Sequence, residues 1–449
     1  MADSGHLIFQ RLPLSALAAQ GNDTFVDGPF GSNLKSSEYV ETGVRLIQLQ
    51  NIGEGEWKDE NKKFITPDKF KTLERHGARP GDIAIAKMAD PVARACIVPN
   101  VSDQYVVVAD CIRLRLDRAK YDSGFIVRAI NSPYTRSEAE RKAIGSTRVR
   151  INLSVLKTLG CLVPELKEQQ AVSKVFDTLD TAVRQTEAII AKLRQVKQGL
   201  LHDLLTRGVD ANGELRPPQF QAPHLYKQSS LGWIPKEWEE VTIGKVAQRS
   251  GGFLQTGPFG SQLHADEYTA DGIPVVMPQD MVGGALSTEH IALISERKAN
   301  ALARHRVRAN DLLVSRRGDL SRCVAIGDHQ PGWVCGTGCL LGRLPSTEIN
   351  GRWLAFVYQQ PVVQSQVMGR AVGTTMANIN TAILAAIVVA RPPIEEQGAI
   401  VQRIAGVTIE ICRVEEMLRK MRSEKVGLMD DLLTGRVRVT PLLEAAAAP

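Results

Sequence analysis

A five-residue string, Gly28-Pro29-Phe30-Gly31-Ser32, returns 229 residues later as Gly257-Pro258-Phe259-Gly260-Ser261. The echo continues through Leu34/Leu263, Glu38/Glu267, Tyr39/Tyr268, Gly43/Gly272 and Gln50/Gln279. His76, Arg79 and Asp82 then pair with His305, Arg308 and Asp311. Further on, Ile151-Asn152 answers Ile379-Asn380, Glu168-Gln169 answers Glu396-Gln397, and Asp203–Thr206 answers Asp431–Thr434, now 228 residues apart. Matches this widespread, with a single one-residue slip, mark a duplication within one chain. The repeated unit is as large as a domain with an appendix, so a solenoid of short repeats is excluded. The 449 residues hold just under two such units.

Each unit divides in two. Its first part mixes short β-rich runs with Gly, Pro and Asn punctuation. Val44–Leu49, Asp82–Ala86, Tyr105–Leu116, Ile273–Met277, Asp311–Ser315 and Ile383–Ala390 read as strands; Arg118–Asn131 and Gly351–Gln360 read as helical. This predicts an irregular α+β globule. The second part follows a heptad. Val172, Phe176, Leu179, Val183, Thr186, Ile190, Leu193, Lys197, Leu200 and Leu204 alternate by four and three. So do Ile400, Ile404, Val407, Ile411, Val414, Leu418, Met421, Lys425, Leu428 and Leu432. Only Thr186 and the two lysines interrupt the seam, which argues for coiled-coil packing. Each helix should begin just after a proline (Pro164; Pro392 and Pro393) and stop before Gly208 or Gly435. About 40 helical residues make a rod of roughly 60 Å. Two such helices in one chain are expected to pack antiparallel, as a stiff spacer with a globule at either end. The fold class is therefore α+β. The expected order is a globule at 1–165, a helix at 166–208, a Pro-rich linker at 209–229, a second globule at 230–393, a second helix at 394–436 and a tail at 437–449.

Composition narrows the function. The net charge of +6 is too small to identify a nucleic-acid binder, but it is compatible with local basic patches in a balanced average. Aromatics are only 5%, which argues against a single-strand binder built on many stacking rings. The seven cysteines are odd in number and include no CxxC pair, so reduced and mostly buried thiols are expected. Cys335 and Cys339 could form half of a metal site, but no second pair answers them. There is no signal-peptide core, and no apolar run is long enough to span a bilayer, so a cytoplasmic protein is expected.

Catalytic signatures are sparse. The chain contains no GxxxxGK[ST] phosphate loop, no strand-borne GxGxxG, no GxSxG and no HExxH. The Asn/Asp-Pro-Pro-aromatic tetrapeptide of amino-methyltransferases is also missing. Asp280 with Glu296-Arg297-Lys298 has a nuclease-like layout, but the other copy has Asn51 and Pro67-Asp68-Lys69 there, so surface charge is the simpler reading. For His76 and His305 a structural hydrogen-bonding role is favoured. No metal site is expected.

What remains is polar and basic, and it falls at matching places in both copies. In the first copy the candidate DNA-contacting residues are Lys35, Ser36, Arg45, Gln48, Gln50, Asn51, Lys87, Arg94, Arg148, Arg150 and Asn152. In the second they are Gln262, His264, Gln279, Arg316, Arg317, Arg322, Thr374, Thr375, Asn378 and Asn380. Such groups suit phosphate positioning, while Arg, Gln and Asn can bond base edges bidentately. The framework matches between copies while these segments differ: Lys87-Met88 faces Arg316-Arg317, for example. If the chain binds DNA, two like frames with unlike readers would recognise two different short sequences. A self-contained nuclease or methyltransferase, and a coiled-coil scaffold without DNA, are the alternatives.

The sequence resembles the specificity subunits of type I restriction-modification enzymes along essentially its whole length. The resemblance rests on the duplicated G-P-F-G-S-x-L…E-Y segment and on Gly232-Trp-Ile-Pro-Lys-Glu-Trp238 opening the second globule. It also rests on a proline shortly before a Glu-Gln pair leading into each long helix (Pro164…Glu168-Gln169; Pro393…Glu396-Gln397) and on the closing Asp203–Arg207 and Asp431–Gly435. It implies two target recognition domains, each reading one half of a bipartite duplex site, with the paired helices fixing the gap. It implies a non-catalytic subunit that docks two adenine-methyltransferase and two ATP-dependent restriction subunits. S-adenosylmethionine, ATP and magnesium would then belong to the partners, with no cofactor bound by this chain. Trp233 and Trp238 are candidate docking anchors, and core packing is the competing reading for both.

Overall fold

The computed structural model describes residues 9–31, 33–88, 91–145, 149–249, 251–260, 262–373 and 377–439. The chain forms two compact units, one from residues 1–188 with 415–449, the other from 189–414.

In the first unit, Phe25–Asp27, Cys111–Leu114, Ile83–Ala86 and Ala95–Ile97 lie in that order in an antiparallel sheet, with Val26 opposite Arg113. A second sheet orders Phe64–Ile65, Val44–Ile47, Tyr105–Val107 and Gly77–Ala78, its middle pair parallel. In the second unit, Phe253–Thr256, Cys339–Arg343, Leu312–Ser315 and Cys323–Ala325 make the antiparallel sheet, with Gln255 opposite Leu341. Ile273–Val276 runs parallel to Val334–Cys335 in its companion sheet.

Buried carboxylates explain why certain polar pairs occur twice in the sequence. Asp82 accepts from the Arg79 amide at 3.0 Å and pairs with Arg115 at 3.0 Å. Asp311 accepts from the Arg308 amide at 2.7 Å and pairs with Arg343 at 2.7 Å. Each unit therefore fixes a turn by neutralising a carboxylate that burial alone would penalise. His76 likewise has the hydrogen-bonding role expected of it, its Nδ1 lying 2.6 Å from the Asp27 carbonyl.

Three sequence readings need correction. The apolar run 383–390 is not one strand: Thr381–Ala385 is helical, and the strand is Val388–Arg391. The Asn380 side chain caps that short helix by accepting from the Ile383 amide at 2.9 Å. The run Tyr105–Leu116 breaks at a turn, where the Cys111 amide bonds the Val108 carbonyl at 2.8 Å. The helix expected from Arg118 begins only at Ser123, where Asp122 caps it.

The long helices run Leu166–Thr206 and Ile394–Thr434, 41 residues each. No heptad-seam residue is exposed. In the first unit, Val172 and Phe176 share a core with Leu432 and Leu433. There Asp180 pairs with Lys425 at 2.5 Å and Glu187 with Arg422 at 2.6 Å. In the second unit, Leu204 and Leu205 share a core with Ile400 and Ile404.

The glutamines and glutamates that open these helices tie them to the globules. Gln169 accepts from the Asp122 amide and donates to the Pro164 carbonyl; Gln397 does the same with Asn350 and Pro392. Glu168 pairs with Arg438 at 2.5 Å. Glu396 pairs with Arg216 at 2.5 Å and also accepts from the Val209 amide and the Trp238 indole. The linker after the first helix is thus pinned. Six of the seven cysteines are buried free thiols, and Cys412 is exposed. No described helix is long and apolar enough to cross a membrane.

Candidate nucleic-acid interface

One end of each antiparallel sheet gathers polar loops. In the first unit, Lys87 follows the strand Ile83–Ala86. Its amide bonds the Asp110 carbonyl at 2.8 Å, and its own carbonyl accepts from Ile151 at 2.8 Å. Met88 then bridges to Arg150. Arg150 closes a loop with Ile144 through two backbone bonds and pairs with Asp110 at 3.0 Å. In the second unit, Arg316 follows Leu312–Ser315 and accepts from Ile379 at 2.8 Å. Arg317 bridges to Asn378, which closes a loop with Val372. Met88 and Arg317 therefore occupy matching places, as do Arg150 and Asn378. Arg150 and Arg317 are exposed.

A short helical turn presents a glutamine in each unit. Leu49–Asn51 carries Gln50 outward, and Pro278–Asp280 carries Gln279 outward. The turn is fixed from beneath. Asn51, fully buried, accepts from the Gln48 amide at 3.0 Å and donates to the carbonyls of Lys58 and Glu60. Asp280 accepts from the Met277 amide at 2.7 Å, and burial pushes its carboxyl above the usual range. Arg94 clamps the first turn through the carbonyls of Ile52 and Leu49, at 2.6 and 2.8 Å. Arg322 clamps the second through the Pro278 carbonyl at 2.9 Å. Asn51, Arg94 and Arg322 thus hold the backbone that displays Gln50 and Gln279.

The remaining candidates divide in the same way. Arg45 is 4% exposed, pairs with Asp59 at 2.7 Å and lies 5.5 Å from the Trp57 ring, so its charge is spent inside the fold. Lys87 pairs with Asp27 at 3.2 Å. Gln48 is half-buried and accepts from the Gln50 side chain at 3.2 Å. Asn152, like Asn380, caps a short helix, accepting from the Val155 amide. Lys35 and His264 have exposed side chains, their amides bonded at 2.8 Å to Glu38 and Glu267. Those bonds help hold both carboxyls below their usual range: the Lys35 amide is the largest influence on Glu38, and Lys298 on Glu267. Ser36 and Gln262 are also exposed. Arg148, Thr374 and Thr375 lie outside the described residues. The nuclease-like string serves the fold: Lys298 pairs with Glu267, and Glu296 with Arg306. Trp238 is 1% exposed, while Trp233 is 51% exposed on the hairpin Tyr226–Pro235.

In the second unit Gln279, Arg317 and Arg322 meet in a cleft of about 560 Å³, with Tyr268, Asp319 and Gly338 on its walls. Each unit also carries a feature not singled out as a site in the sequence: Phe30 is 72% and Phe259 60% exposed. The repeated Gly-Pro-Phe-Gly-Ser string was the available signal.

No family model matches the chain. Among curated proteins, the type I restriction enzyme MjaVIII specificity subunit of Methanocaldococcus jannaschii is 20% identical over 419 residues, covering 91% of this chain and 86% of that protein. The EcoBI specificity subunit of Escherichia coli is 21% identical over 413 residues, covering 91% and 82%. Among solved structures, the type I restriction-modification S subunit of M. genitalium covers 96% of this chain and 98% of its own, at TM-score 0.52 and 14% identity. The HsdS subunit of Thermoanaerobacter tengcongensis covers 97% and 100%, at TM-score 0.51 and 14% identity. Sequence relatives that span nine-tenths of the chain and a fold shared along its length point the same way: the chain is similar throughout to specificity subunits of type I restriction enzymes.

Proposed function

We propose that this chain is the DNA-reading subunit of a type I restriction-modification complex, each unit recognising one half of a bipartite duplex site. The observation that carries this reading is the pairing of like supports with unlike displayed groups. The same turn, clamped by Arg94 or Arg322, offers Gln50 or Gln279. The same loop closure offers Arg150 in one unit and Asn378 in the other. Like supports would dock on the duplex in a like way, and different side chains would then read different bases. Recognition needs no catalysis in this chain. Methyl transfer, ATP-driven translocation and cleavage fall to two modification and two restriction subunits, which carry S-adenosylmethionine, ATP and magnesium.

We further infer that the chain is an internal duplication whose long helices pair antiparallel and set the unspecified gap between half-sites. Two salt bridges support the pairing: partner numbers fall along the second helix, from 425 to 422, as they rise along the first, from 180 to 187. Trp233 is free for a partner protein; Trp238 belongs to the core.

Methylome sequencing of the host with and without this gene tests the proposal. One gapped adenine-methylated motif should vanish on deletion; an unchanged methylome in a host with an active system refutes the reading. Within that motif, Arg317→Ala should relax or abolish the half-site read by the second unit, with a loss of about 1–3 kcal/mol in discrimination. The other half-site should keep its sequence. Loss at both halves would mean that the units do not read independently.

A further inference from the structure

We propose that Phe30 and Phe259 are apolar wedges that enter the base stack, one in each half-site. The inference rests on the reading of the chain as a duplex-DNA binder and adds a mode of contact to it.

A single exposed phenylalanine is ordinary on a protein surface. Two at the same place in both units, each on a fixed backbone, call for a cause. The preceding Gly-Pro pair is buried in both turns. The Gly28 amide bonds the Cys111 carbonyl at 2.9 Å, and the Gly257 amide bonds the Cys339 carbonyl at 2.9 Å. The Phe30 carbonyl accepts from the Asn33 amide at 2.8 Å. The Phe259 carbonyl accepts from the Gln262 amide at 2.8 Å, and the Phe259 amide donates to the Gln262 side chain at 3.0 Å. The turns are therefore anchored while the rings stand in water at 72% and 60% exposure. They add almost nothing to a core.

Their location names the ligand. Each turn leaves the sheet end that carries the displayed polar groups. Asp27 contacts Lys87, and Cys111 follows Asp110, the partner of Arg150. Cys339 follows Gly338, whose carbonyl bonds the Arg316 amide at 3.0 Å. A second apolar side chain stands out from the loop that Arg150 or Asn378 closes: Ile144 at 72% exposure and Val372 at 66%. Cations and amides interleaved with rigid apolar points suit a duplex whose base steps are opened by inserted side chains. Such opening would also reduce the work of turning out a base for methylation.

The test uses the full chain with its co-expressed modification subunits. The probes are duplexes carrying the methylome-defined site, with 2-aminopurine at each non-target position of one half-site in turn. The wild-type complex should raise the emission at a step in each half-site. Phe30→Ala should abolish the rise in the half-site read by the first unit only, and Phe259→Ala in the other only. Each should weaken binding about tenfold with an unchanged salt slope, because no phosphate contact is lost. Phe30→Leu should retain part of the opening. A bound duplex without any rise, or a rise that persists in the double alanine variant, overturns the proposal and leaves DNA recognition standing. Alanine variants that no longer co-purify with the modification subunits would instead make these rings a protein-docking surface, and also overturn it. Failure of the wild-type complex to bind the duplex at all would overturn the DNA reading itself.

Discussion

Glu396→Ala should destabilise the second unit by about 3–5 kcal/mol, the range for removing one partner of a buried ion pair. Glu396 is 9% exposed and Arg216 8%. One carboxylate oxygen, Oε1, accepts from the Arg216 guanidinium, the Val209 amide and the Trp238 indole at once. Its loss deprives the Val209 amide and the Trp238 indole of this acceptor and leaves the Arg216 guanidinium with the exposed Glu237 carboxylate, 3.6 Å away, and the Arg207 carbonyl. The matching Glu168→Ala should cost only about 1 kcal/mol, because Arg438 is one-third exposed and can turn to solvent. Urea unfolding of the full chain, followed by tryptophan emission, measures both variants. Equal losses would show that burial of the arginine is not what separates the two pairs.

Gly257→Ala should cost about 3 kcal/mol, at the upper end for forcing atoms into a filled site. A Cβ there would lie 1.8 Å from the Gly336 carbonyl oxygen, a backbone atom that cannot swing aside. At Gly28 it would lie 1.9 Å from the Val108 carbonyl oxygen. Gly31 and Gly260 belong to the same strings, yet nothing stands within 4 Å of a Cβ at either. Their alanine variants should stay within about 0.5 kcal/mol of the parent. Thermal unfolding of the four variants decides the matter. A harmless Gly257→Ala would mean that the turn is softer than its backbone bonds suggest.

The long helices were the most legible part of the sequence. Heptad spacing, flanking prolines and terminal glycines act over dozens of residues, and they bracket Leu166–Thr206 and Ile394–Thr434. Short elements were less legible because one side chain can decide them. Asn380 turned an apolar run into a helix and a strand, which hydrophobicity alone cannot foresee. The candidate polar residues were legible as a group, but what each does in the fold was not. An arginine written beside a strand looks the same whether it clamps a turn, as Arg94 and Arg322 do, or faces solvent, as Arg317 does. Arg45 and Asn51 differ from the exposed candidates in being buried, and burial is a property of the fold. Phe30 and Phe259 lay in the most visible motif of all, but an apolar letter there did not reveal that the ring points into water.

The division of the chain also sets a timetable for its synthesis. The first unit draws on residues 1–188 and on 415–449, while the second is a single stretch of 226 residues. Leu432, Leu433 and Val439 are buried in the first unit's core. A ribosome adding about 5–20 residues per second needs about 10–45 s to cross the intervening stretch. During that interval the earliest-made globule has its sheets but lacks the side chains that cover Val172 and Phe176. The part translated first is thus the last to close, because its core waits for side chains made after the whole of the second unit.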